Sequence, residues 1–111
     1  MIDTAGKITI PFPGTPIQAT ANLADPSKHV SIHGVMFQAL PTNSGKVYVG
    51  KIGLDKTTYE NCFAILAVPT SNFIPTFSVA LTIAPNGLAL EPFYLDADVQ
   101  DDGVLITVLV T

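Results

Sequence analysis

The chain contains no arginine, a single cysteine and few charges of either sign. Each shortage excludes something. Five lysines against nine acidic residues leave a net charge of −4. Nucleic-acid binding needs a basic patch and favours arginine, so it is not expected here. Attraction to an anionic membrane surface is disfavoured for the same reason. Cys62 alone cannot form an internal disulfide, which fits synthesis in a reducing cytoplasm. It has no catalytic setting in the sequence and reads as a small buried apolar group. The start, Met1-Ile2-Asp3-Thr4-Ala5-Gly6, lacks the basic residues and unbroken apolar core of a signal peptide. No apolar run approaches the ~18 residues of a spanning helix. Charged residues are 13% of the chain, against ~25% in ordinary soluble domains. Much of the surface must therefore be neutral. Such a surface is either buried against another chain or covered by Thr, Ser and Asn side chains, and composition leaves both open.

Catalytic and cofactor signals are missing too. Gly45-Lys46-Val47-Tyr48-Val49-Gly50-Lys51-Ile52 has the glycine and lysine spacing of a phosphate-binding loop. Ile52 stands where a magnesium-holding Ser or Thr is required, and the interior is strand-like. His29 and His33 have the spacing of a helical metal pair, but on a strand they would lie ~13 Å apart, too far for one zinc ion. From Asp96 to Asp102 the acidic residues have part of a calcium-loop pattern. The glycine falls late, at Gly103, and Thr107 occupies the position of the bidentate glutamate. An acidic turn is the simpler reading, with a weak surface calcium site as its alternative. No Gly-x-Ser-x-Gly elbow occurs, and paired carboxylates need a cleft that so short a chain would struggle to build. The expectation is a non-enzyme with no cofactor.

What is present is a series of short β-type runs punctuated by nine prolines and eight glycines. At 111 residues one domain is expected, of the all-β class. The recurrence of the runs predicts an antiparallel sandwich or barrel. Strands are expected at Lys7–Ile10, Ile17–Leu23, Val30–Ala39, Lys46–Val49, Cys62–Val68, Thr76–Ile83, around Glu91–Asp96, and at Val104–Val110. Lys56–Asn61 could form the one short helix. Cys62–Val68 is continuously apolar and reads as a central strand. Val104–Val110 is apolar on both faces, so it is expected to be covered on both sides. The cover is either a loop of the same chain or an oligomer contact.

Val30 to Gly50 reads as two strands joined by the turn residues Pro41-Thr42-Asn43-Ser44-Gly45, that is, a long-loop hairpin. Its segment Ala39-Leu40-Pro41-Thr42-Asn43-Ser44-Gly45-Lys46-Val47-Tyr48-Val49-Gly50 resembles small β-sandwich structural proteins of tailed bacteriophages. In length and in its open N-terminal segment the chain is similar to capsid decoration (cement, or staple) proteins of epsilon-type short-tailed phages. Together with the apolar strand that leads into it from Val30, the resemblance covers about a fifth of the chain. It implies a jelly-roll-like sandwich on the outer surface of the virion. There such proteins clamp neighbouring major capsid proteins, often as dimers. A tail or fibre module that binds a receptor or glycan is the alternative, with Tyr59, Phe93 and Tyr94 as its candidate residues.

A cement function needs contact area rather than a chemical site, and three apolar segments could supply it. Residues 1–16 hold Pro11, Pro13 and Pro16, which bars the middle of a sheet. They also present Ile8, Ile10 and Phe12. The expectation is an N-terminal arm lying on a neighbour, with residues 17–111 as the sandwich. Folding back over its own sandwich is the alternative. Phe73, Ile74 and Phe77 form a second proline-stiffened segment, and Leu105 and Leu109 lie on the back of the last strand. With the shortage of charge, these predict a homodimer or small homo-oligomer.

Overall fold

The computed structural model describes residues 2–19, 32–80 and 93–110. They form β1 (Ile2–Thr9), β2 (Ile17–Gln18), β3 (Ile32–Ala39), β4 (Val47–Gly50), β5 (Cys62–Leu66), β6 (Thr76–Ala80), β7 (Tyr94–Ala97) and β8 (Gly103–Val110). No helix occurs among the described residues, and Lys56–Asn61 makes turns instead. Positive φ at Tyr59 and Asn61 breaks any helical run there.

The strands make two antiparallel four-stranded sheets, in the orders β1-β8-β3-β6 and β2-β7-β4-β5. The pairs β1·β8, β2·β7, β3·β6 and β4·β5 are those of one long hairpin folded over on itself. The β3·β8 and β4·β7 ladders then close each sheet. This is the jelly-roll arrangement.

The core lies between the sheets and follows the period of two. Ile8, Val104 and Ala39 point inward in one row, and Ile106 and Phe37 in the next. Leu95 and Val49, then Ala97, Val47 and Leu66, meet them from the other sheet. An aromatic chain crosses the interior. Phe77 stacks on Phe37 at 6.5 Å, Phe37 meets Phe93 edge-on at 5.2 Å, and Phe93 meets Phe63 at 6.3 Å.

Three expectations are corrected. The first is the hairpin: β3 and β4 belong to different sheets, and residues 40–46 carry the chain across the end of the sandwich. The turn chemistry is real, but it serves a crossing. Asn43 is buried and pairs with the backbone of Gly103, its Nδ2 donating to the Gly103 carbonyl (2.8 Å) and its Oδ1 accepting from Gly103 N–H (2.9 Å). The buried Asp102 carboxylate accepts from Ser44 N–H (3.0 Å) and Gly45 N–H (2.7 Å). Ile10 and Asp102 add backbone bonds between the first and last connections at this end. Gly45 leaves room that a Cβ would deny, since one there would lie 2.7 Å from Val99 Cγ2.

The second correction concerns the N-terminal segment. β1 pairs with β8 along its length, with a bulge between Thr4 and Gly6, so residues 2–9 belong to the sandwich. Ile8 and Ile10 are fully buried in its core. The prolines fall after Thr9, in the connection to β2, where no ladder bond is lost. β1 is moreover an edge strand.

The third concerns β5, which was expected to be central. It is an edge of its sheet, although its sequence is wholly apolar apart from Cys62.

Candidate interaction surface

Each sheet has two edges, and β5 and β6 lie on the same side of the sandwich, joined by residues 67–75. Edge strands present unpaired backbone donors and acceptors, and natural sheets protect them with charges, prolines or bulges. β1, the opposite edge of its sheet, carries Asp3 and Lys7 in its sequence. Neither β5 nor β6 carries such a charge. From Asn61 to Leu90 the sequence contains no charged residue at all.

Apolar side chains are exposed along this side. Phe63 is 49% exposed, Ile65 44%, Val68 42% and Phe73 64%. Ile65 points to the outer face beside Tyr48, its ladder partner. Phe63 sits at the bulge between Val49 and Gly50 and leans inward onto Phe93. Phe73 projects from a tight turn closed by backbone bonds between Thr70 and Phe73. Pro69 and Pro75 flank that turn and hold it stiff. A stiff apolar rim loses little conformational freedom when a partner covers it.

The residues expected at contacts divide as follows. Phe73 is on this surface. Ile74 and Phe77 flank it but pack partly against the core. Phe12 is exposed on the β1–β2 connection. Ile8 and Ile10 are core residues and unavailable to a partner. Leu105 is partly exposed on the outer face of β8, between Lys7 and Gln38 in the ladder. So the outer face of that strand is not fully covered, and its inner residues Val104, Ile106 and Val108 are spent in the chain's own core. Leu109 is placed by its backbone pairing with Ile2 and Gly34; its side chain lies outside the described residues. Phe63, Ile65 and Val68 were not expected. Their signal was the uncharged stretch itself, combined with placement at an edge.

The acidic turn does not converge on one point. Asp96 bonds the backbone at Gly14 and Ala97, Asp98 accepts from the Tyr48 hydroxyl, and Asp102 holds the Ser44–Gly45 amides. Among the described residues no three His, Cys, Asp or Glu side chains are placed to share a metal ion. His29 lies outside the described residues, and of His33 only the backbone in β3 is described. The Cys62 thiol donates to the Ala64 carbonyl, and burial pushes its pKa up. The candidate glycan-contacting aromatics are dispersed. Phe93 is buried in the core, Tyr59 is exposed in the β4–β5 connection, and Tyr94 is half-buried on β7.

Tyr48 has a measurable signature. Its pKa is pushed up to about 12, first by burial, then by its hydrogen bond to Asp98 and the carboxylates around it. The folded state thus holds the phenol proton more tightly than the unfolded chain does. The resulting stability is fully present below pH ~10 and is lost as pH rises towards about 12. Spectrophotometric titration of the folded protein should show a tyrosine ionising near pH 12, and Tyr48→Phe should remove that step. A titration curve unchanged by the substitution would contradict the assignment.

Among the described residues, the fold and this surface together define a small jelly-roll domain with an uncharged, apolar side at β5 and β6. No family model matches the chain, and neither a curated protein nor a solved structure was found similar to it.

Proposed function

We propose that this chain is a virion structural protein, a capsid decoration or cement protein that clamps neighbouring major capsid proteins on the outer surface of a phage shell. The observation that carries the reading is the charge-free β5/β6 side with Phe63, Ile65, Val68 and Phe73 exposed. A surface of that kind serves adhesion between proteins, because it offers apolar area and, among the described residues, two open strand edges. The phage assignment comes from the resemblance of the Ala39–Gly50 segment, and jelly rolls recur in viral shells. That recurrence is an analogy of fold.

A cement protein resists separation of shell subunits by spreading contact over them. A standard specific interface buries ~1,600 Å² in total. The β5/β6 side supplies the centre of such a contact. The same side suits a homodimer or small homo-oligomer, because symmetric pairing covers an apolar edge. Sedimentation of the pure protein at micromolar concentration checks the oligomer: a dimer or small assembly is expected, and a clean monomer would contradict it. For the function, purified shells lacking the protein are incubated with it and pelleted. Saturable co-sedimentation is expected. Binding only to isolated tails or fibres would replace the cement reading with that of a tail or fibre module.

A further inference from the structure

A cleft of about 440 Å³ opens on the outer face of the β2-β7-β4-β5 sheet, away from the β5/β6 side. Its volume is in the range of small-molecule and side-chain sites, ~300–1,000 Å³. The floor is β7, with Tyr94 and Asp96. One wall is the β1–β2 connection at Gly14 and Pro16. The other is the β4–β5 connection, which folds back over the sheet. Lys56 pins that fold by donating to the Ala97 carbonyl (2.8 Å) and pairing with Asp98 (3.5 Å).

Asp96 is the unusual group. Its residue is 1% exposed. Oδ1 accepts from Gly14 N–H (2.9 Å) and Ala97 N–H (2.8 Å). Oδ2 has no donor among the described residues, and no cation stands within ion-pair distance of it there. A carboxylate is an acceptor only, and a buried one left without a partner is costly. Asp55 stands at the rim of the same cleft. Its Oδ1 is occupied by the Thr57 and Thr58 amides, which hold its carboxyl below the usual range. Among the described residues the one lysine lining the cleft, Lys56, is committed to Ala97 and Asp98. Among the described residues, two acidic side chains thus belong to the lining against one occupied cation.

The geometry points to a guanidinium group as the occupant, with its planar fork on Asp96 Oδ2 and its face on Tyr94. A guanidinium supplies both donors and charge, and it stacks on aromatic rings as an ammonium does less well. A neutral polyol would supply donors and leave the charge uncompensated. This chain contains no arginine, so its own residues do not supply the group, and the occupant is an arginine side chain of a partner protein. The inference rests on the reading of this chain as a contact protein, for which the cleft would be a second, specific anchor apart from the apolar β5/β6 side.

The test uses the isolated full chain and N-acetylarginine amide as probe, followed by amide chemical shifts in NMR. Saturable shifts are expected at Gly14, Leu54, Asp55, Tyr94 and Ala97. Asp96→Asn keeps an acceptor for both amides and should weaken binding about tenfold or more, the effect of losing a hydrogen bond to a charged group. Should that variant fail to fold, Asp55→Asn at the exposed rim decides, with an expected weakening of about threefold. No saturable shift, binding unchanged in the folded variant, or an equal response to a neutral methyl glycoside would overturn the proposal. No shells enter this experiment, so its failure leaves the shell-binding reading standing, and failure to bind shells leaves this result standing.

Discussion

Replacing Asp102 by alanine is expected to destabilise the fold by about 3–5 kcal/mol, on the scale of two hydrogen bonds to a charged group. Its carboxylate is the only side chain bonding the Ser44 and Gly45 amides among the described residues, and Gly45 is buried. Alanine leaves those donors without an acceptor where water enters poorly, which costs more than the bonds themselves contributed. The loss would also loosen Asn43, which holds the next residue, Gly103, from the same turn. Gly103 in turn lies so close to Ile8 that an added Cβ would overlap its carbonyl oxygen, so β1 and β8 would be disturbed together. A domain of this size has ~5–15 kcal/mol of total stability, so the variant should melt on the order of 15 °C lower. Asp102→Asn keeps one acceptor and should fall between. Urea or thermal unfolding measures both. A variant as stable as the parent would mean that this end of the sandwich is not held by the carboxylate.

The second large effect is on binding rather than on stability. Ile65→Lys combined with Phe73→Asp is expected to weaken attachment to shells by at least about a hundredfold. Central apolar anchors each contribute ~2 kcal/mol or more when removed, and a buried unpaired charge adds its own penalty. Both side chains are largely outside the core, so the melting behaviour should stay within about 0.5 kcal/mol of the parent. Undiminished binding by this pair would remove the β5/β6 side from the account. The matching change on the other sheet, Leu105→Lys, is expected to leave shell binding intact.

Much of the fold was legible because a period of two with frequent proline and glycine is hard to reconcile with helices. The strand runs in the middle and at the end of the chain are found close to their expected limits. What local sequence could not say is which strands pair. Pro41–Gly45 has the residues of a turn, and a turn is what it makes. Whether that turn reverses the chain within a sheet or carries it across depends on Asn43 and Asp102, which are 59 positions apart in the numbering. The same limit explains β5. Continuous apolarity marks either a strand covered on both faces or an edge meant to be covered by something else. The prolines after Thr9 suggested an arm, yet Ile8 and Ile10 already have the alternation of a half-buried edge strand. Asp96 and Asp102 read as members of one acidic turn, and only the fold separates them, one into a buried clamp and the other into the floor of a cleft. Phe63, Ile65 and Val68 passed for core because nothing in a linear reading distinguishes an apolar edge from an apolar centre.

We propose that the β5/β6 side is the face by which this protein attaches to an assembled shell. Cryo-electron microscopy of particles saturated with the protein tests it most directly. Density is expected on the outer capsid surface, with Phe63, Ile65, Val68 and Phe73 against the major capsid protein or buried between copies of this chain. Density confined to a tail, or a capsid-bound domain whose β5/β6 side faces solvent, would contradict it.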